Sequence, residues 1–166
     1  MNSSAAAPLK LLALDEDDLK VLSAHLQDAV LRVADMSYLP HEKKFAAILN
    51  RFDWIAATAD EGQTLRRCRC GLRFERVLRA QVLGIHPSPE CKDVAALLAV
   101  TYEQTTPPGG YITFHFCGGG ALRLEVECIE AELKDLGAVW QTRQMPRHEA
   151  LDLPAESSEQ QFDRAS

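Results

Sequence analysis

The stretch from Arg66 to Phe74 restricts the fold more than any other part of the chain. Cys68, Cys70, Leu72 and Phe74 occupy one parity, and Arg67, Arg69, Gly71 and Arg73 the other. A helix would scatter both sets around its circumference. An extended strand sends the first set into a dry interior and the arginines into water. The period of two returns in Ile112, Phe114 and Phe116 against Thr113 and His115. It returns again in Leu122, Leu124, Val126 and Cys128 against Arg123, Glu125 and Glu127. Gly118-Gly119-Gly120 between these two runs is a flexible turn, so they form an antiparallel hairpin.

Leu9 to Leu14 is a short apolar run suited to an edge strand. Asp15 can cap a helix whose first turn holds Glu16, Asp17 and Asp18 and whose buried face is Leu19, Leu22, Leu26 and Ala29. Val30 to Leu39 reads as one strand, with Val30, Ala34, Met36 and Tyr38 on one parity, ended by Pro40. Lys44 to Trp54 is a further strand, with Ile48, Phe52 and Trp54 on one side and Phe45 and Leu49 on the other. Ala59 to Leu65 is a loop, Val77 to Ile85 a strand after a turn at Glu75-Arg76, and Gly84 to Pro89 a loop. Val94 to Gln104 is apolar on both parities, as a central strand or a helix could be, and its Val-Thr-Tyr end favours a strand; Pro107 to Gly110 reads as a turn. Ile129, Leu133, Leu136 and Trp140 fall at helical spacing, with Glu130 placed to pair with Lys134.

The expected fold class is α+β. A strongly bent antiparallel sheet or half-barrel of about six or seven strands carries an N-terminal and a C-terminal helix. A pleckstrin-homology-like half-barrel has this element order after its first helix. Residues 1–8 read as a disordered lead, 9–148 as a single domain and 149–166 as a disordered acidic tail.

Composition narrows the function classes. The chain has 166 residues and a formal net charge of −6, from 18 basic and 24 acidic side chains. That balance works against nucleic-acid and anionic-membrane partners. No apolar run reaches the ~18 residues of a membrane span, and Met1 to Pro8 lacks the form of a signal peptide. Five cysteines without tidy spacing point to reduced thiols and a cytoplasmic location.

Three stretches carry a family resemblance: Leu26 to Ala29, Tyr38-Leu39-Pro40 into Asn50 to Trp54, and Gly118 through Gly137. Across residues 9–149 they resemble an alphaproteobacterial family known only as a domain of unknown function. The resemblance implies a bacterial cytoplasmic protein. It also implies a gene neighbourhood with histidinol dehydrogenase, which is association and not mechanism. It supplies no catalytic residue.

Several groups invite chemistry. Cys68 and Cys70, with Cys91, His86 and His115, could be assembled into a zinc set; the apolar parity of Cys68 and Cys70 argues for core packing instead, and no metal or cofactor is expected. His115 and Cys117 share a parity, yet neighbours two apart on a strand suit a thiolate–imidazole pair poorly. Asp53, Glu75 and Glu103 show no pairing that would mark acid–base work, and His41-Glu42 falls in a loop. The triple glycine lacks a following Lys-Ser/Thr and leads into a strand, unlike a phosphate loop. Trp54 and Trp140 belong to apolar stripes.

The densest basic cluster is Arg66, Arg67, Arg69, Arg73, Arg76 and Arg79. Arg67, Arg69 and Arg73 should form an exposed stripe that could grip phosphate or carboxylate. The plainer reading is a solvated strand face paired with acids such as Glu125 and Glu127 on the neighbouring strand. The function expected is a non-enzymatic binding or adaptor domain for an anionic small molecule or a protein partner, with Arg67, Arg69 and Arg73 as its ligand residues. The alternatives are a small enzyme or accessory protein linked to amino-acid (histidine) metabolism, and a structural homo-oligomer.

Overall fold

Strand β5 (Arg66–Phe74) is extended, with Cys68, Cys70, Leu72 and Phe74 all buried. A central strand must satisfy its backbone groups along both edges. β5 does so with β4 (Lys44–Phe52) on one side and β10 (Ala131–Gln141) on the other, both antiparallel. The computed structural model of the chain describes residues 7–84, 94–143 and 145–146. The expected lead (in part), the acidic tail, His86 and Cys91 lie outside the described residues.

The remaining elements are β1 (Lys10–Ala13), α1 (Glu16–Leu26), β2 (Val30–Arg32), β3 (Met36–Leu39), α2 (Trp54–Ala59), β6 (Val77–Leu83), β7 (Val94–Gln104), β8 (Gly110–Phe116) and β9 (Ala121–Val126). The strands form one ten-stranded sheet in the order β1-β10-β5-β4-β2-β7-β8-β9-β6, with β3 on β4. This overturns the α+β expectation of six or seven strands between two flanking helices. Among the described residues the regular structure is mostly sheet, with one 11-residue helix and one of six residues.

The expected C-terminal helix does not form. Residues 131–141 are strand β10, held between β1 and β5. The i, i+4, i+7 spacing fits a helix, but Ala131 and Leu133 also alternate with Glu132 and Lys134, and both unpaired edges needed a partner. Gly137 adopts φ +95°, a conformation no helix interior contains. It sits in a bulge where the β10–β5 register shifts between Asp135 and Val139. Leu136 and Trp140, assigned to the buried helix face, are exposed.

Val30–Leu39 is not one strand: a 3₁₀ turn at Val33–Asp35 divides it. β3 stays on β4, while β2 touches β4 only at Val30↔Asn50 and pairs with β7 on its other edge. That turn lets one sheet serve as two opposed layers. The second strand ends at Phe52, because Asp53 caps α2 by accepting from the Ala56 amide at 3.1 Å. On β4 it is Phe45, Ala47 and Leu49 that face the core, leaving Ile48 exposed.

The two layers meet through phenyl rings. Phe114 of β8 lies 5.8 Å from Phe45 of β4 and 5.6 Å from Phe74 of β5, the latter edge-on. Helix α1 begins at Asp15, whose carboxylate accepts from the Asp18 amide. Its Leu19, Leu22 and Leu26 join the same core cluster. The Ser23 hydroxyl accepts from the Val100 amide at 2.9 Å, next to the register shift in β7 between Leu97 and Ala99. At the β8–β9 turn Gly118 and Gly119 take φ +87° and +90°, which a side chain would strain.

Phe74 is fully buried between the layers, and truncation there leaves a cavity. Phe74→Ala is expected to lower the unfolding free energy by about 3–5 kcal/mol. Urea unfolding of the two proteins checks this.

Candidate functional site

The predicted arginine stripe divides into residues with different duties. Arg67 lies 5.9 Å from the Phe52 ring centroid and donates to the carbonyls of Asp28 and Asn50, at 3.1 and 3.2 Å. It is half-buried and serves packing. Arg73 is exposed but holds Glu75 at 3.1 Å and Glu132 at 3.3 Å. Its acidic neighbours come from its own strand end and from β10, not from Glu125 and Glu127 of β9. Arg69 is exposed and has no ion pair among the described residues. Of the other cluster members, Arg66 binds Asp53 at 2.7 Å, and Arg76 reaches Glu130 at 3.0 Å and Glu127 at 3.7 Å. Glu130 therefore serves Arg76, and the expected Glu130–Lys134 helix pair does not exist.

A second cluster, which the sequence reading missed, lies on the inner face. Arg51 of β4 and Asp135 of β10 form a two-pronged ion pair at 2.9 and 2.8 Å, with side chains 5% and 9% exposed. The Leu9 amide donates to the same carboxylate at 2.8 Å. Burial pushes the Asp135 acid up, but the Arg51 and Leu9 hydrogen bonds outweigh it and hold the group below the ordinary carboxylate value. His25 of α1 is held below the ordinary imidazole value, by burial first and the Arg51 charge second, with Asp53 and Asp135 pulling the other way. The inward thiols complete the group. Burial raises Cys68 and takes Cys70 to about 12, and the Cys70 Sγ donates to the Leu49 carbonyl at 3.6 Å. A thiol with that value is not a nucleophile at neutral pH. The charges here hold one another.

Beside His25, a shallow groove of ≈ 490 Å³ runs between α1 and α2, lined by Ala24, His25, Trp54, Ile55, Thr58 and Ala59. The Trp54 indole donates to the Gln27 carbonyl at 2.8 Å and stacks edge-on against Phe52, so it closes one wall. Asp53, considered as an acid–base group, caps α2 and pairs with Arg66. Glu75 pairs with Lys44 and Arg73, and Glu103 is exposed. His115 is half-buried and bonds Thr101 at 2.8 Å, while Cys117 is exposed past the strand end. Among the described residues no three His, Cys, Asp or Glu side chains gather closely enough to hold a metal ion.

The outer face of the first layer is different again. Partners in an antiparallel ladder share a face, so Lys10↔Lys134, Lys134↔Gly71 and Gly71↔Ile48 form one row across four strands. The Leu136 methyls lie over bare Gly71, where an added Cβ would meet Cδ2 at 3.8 Å. Arg69 stands in the next row, opposite Asn50. Leu12, Ile48 and Leu136 on this face are 59%, 41% and 50% exposed.

Residues 9–148 match the family model described as a protein of unknown function, DUF2948. The chain belongs to that family. The comparisons with curated proteins and with solved structures give no match. Among the described residues no helix is long and apolar enough to cross a membrane.

Asp135→Asn leaves a buried guanidinium without its carboxylate, and is expected to destabilise the fold by about 3–5 kcal/mol. The double change Arg51→Met/Asp135→Leu should recover much of that loss. A carboxyl held low in the folded state contributes stability above its unfolded value of about 3.9 and loses it as pH falls through the folded value. Denaturant titrations from pH 7 to pH 2 should therefore show an acid-labile component in the parent that is missing from the double variant.

Proposed function

We propose that this member of the DUF2948 family is a non-catalytic binding module whose outer first-layer face takes an acidic, partly apolar segment of a protein partner. The observation that supports this most is the row headed by Lys10 and Lys134. Register places the two lysines directly opposite across the β1–β10 ladder, both exposed. Among the described residues neither has a carboxylate within ion-pair distance. Like charges in that position destabilise a sheet, and an acidic occupant would relieve the repulsion. Arg69 adds a third uncommitted cation, while Leu12, Ile48 and Leu136 add apolar surface beside it. Of the expected trio Arg67, Arg69 and Arg73, the proposal keeps Arg69 as the residue free to bind. Its place of work would be the cytoplasm, where exposed thiols such as Cys117 remain reduced.

Labelled decapeptides of alternating Glu and Leu, with Lys/Leu counterparts, test this by fluorescence anisotropy. Only the acidic set should bind, more weakly as salt rises, and Lys10→Glu/Lys134→Glu should weaken it roughly ten-fold or more. Lys134→Glu alone should raise the melting temperature, since it removes the like-charge contact. Equal binding of both peptide sets, or unchanged affinity in the reversed variant, would discard the reading.

A further inference from the structure

The outer face of the second layer holds a cation that the fold positions but does not neutralise. Register places Thr101, Thr113, Arg123 and Gln81 in one row across β7, β8, β9 and β6. The flanking rows hold Tyr111 on one side and His115 on the other. Diagonal neighbours on a sheet are within reach of long side chains, and two diagonal contacts form here. The Arg123 guanidinium lies 3.8 Å from the Tyr111 ring centroid, and the His115 ring bonds the Thr101 hydroxyl at 2.8 Å.

The Tyr111 stack settles where the guanidinium sits without using its N–H donors. Nothing else in the described residues takes them up. Arg123 Nε is shielded from solvent and has no hydrogen-bond partner. Glu125 lies two positions along the same strand, yet it makes no ion pair with Arg123. Glu125 faces Tyr111 and Arg79 across its own row. The shielded Nε keeps the guanidinium in place but is out of a ligand's reach; the terminal N–H groups, with no ion pair among the described residues, form the flat fork suited to an anion with two oxygens side by side. Thr113 and Gln81, directly opposite Arg123 on either side, offer a hydroxyl and an amide to the remaining oxygens.

We propose that Arg123, stacked on Tyr111 and flanked by Thr113 and Gln81, is the centre of a binding site for a small oxyanion, a carboxylate or a phosphate. It lies on the opposite layer from the lysine face and does not depend on it. Burial holds His115 below the ordinary imidazole value, so at neutral pH the neighbouring ring is an uncharged hydrogen-bonding group and leaves Arg123 as the charge in the row.

The test is calorimetry and amide chemical-shift titration of the full chain with inorganic phosphate and, separately, with succinate. Saturable binding of at least one is expected, with shifts centred on Tyr111, Thr113, Arg123 and Gln81. Tight binding of one anion alone identifies the source, phosphate ester or carboxylate. Arg123→Lys keeps the charge but loses the fork, and should weaken binding about ten-fold. Arg123→Gln should abolish it, while Lys10→Glu/Lys134→Glu should leave it unchanged. Each variant's near-parental melting curve establishes that it folds. Absence of saturation by both anions at about 20 mM, or undiminished affinity in Arg123→Lys and Arg123→Gln, overturns the proposal.

Discussion

Pairing of β5 along both of its edges is the constraint on which the architecture rests. Its alternation puts two thiols, a leucine and a phenyl ring into the core, and its backbone then has to be satisfied by strands and not by water. β4 supplies one ladder and β10 the other. The demand for the second ladder converts a segment of helical spacing into a strand, and that strand's far edge recruits β1. The buried Arg51–Asp135 pair bridges β4 and β10 across the inner face of β5. Burial of both charges is tolerated because the geometry is two-pronged and the Leu9 amide completes the carboxylate.

Legibility from sequence followed the range of the interactions. β5, the β8–β9 hairpin and the Asp15 cap of α1 rest on neighbours a few positions apart, and each is where alternation or capping chemistry places it. β10 and α2 are not, since competing local signals were resolved by contacts elsewhere in the chain. Leu133 suits either a helix stripe or a strand face, and only the open edge of β5 decides. Trp54 continues the parity of Phe52, but Asp53 between them turns the chain into a helix. The groups proposed to bind were hidden for the same reason. Nothing in the sequence brings Lys10 opposite Lys134 or sets Tyr111 diagonal to Arg123, because both follow from register. The densest arginine run was conspicuous, and most of it is engaged in the protein's own packing and ion pairs.

The two outer faces differ in how their cations are managed. On the first layer the two lysines are exposed and face each other in register, an arrangement suited to the broad, salt-sensitive contact proposed above. On the second, one guanidinium is immobilised on an aromatic ring and half-buried, which favours a small ligand with defined geometry. The core between them has thiols raised by burial and an Asp135 carboxylate already bonded to Arg51.

The β1–β10 ladder has a consequence for synthesis. The Leu9 amide meets the Asp135 carboxylate 126 positions further along, so β1 has no strand partner until nearly the whole domain has emerged. Loop closure over that span precedes any return from the contact. Until β7 and β10 have emerged, Leu11 and the apolar side of α1 lack the core they pack against in the finished fold, so the unfinished polypeptide exposes more apolar surface than the completed domain.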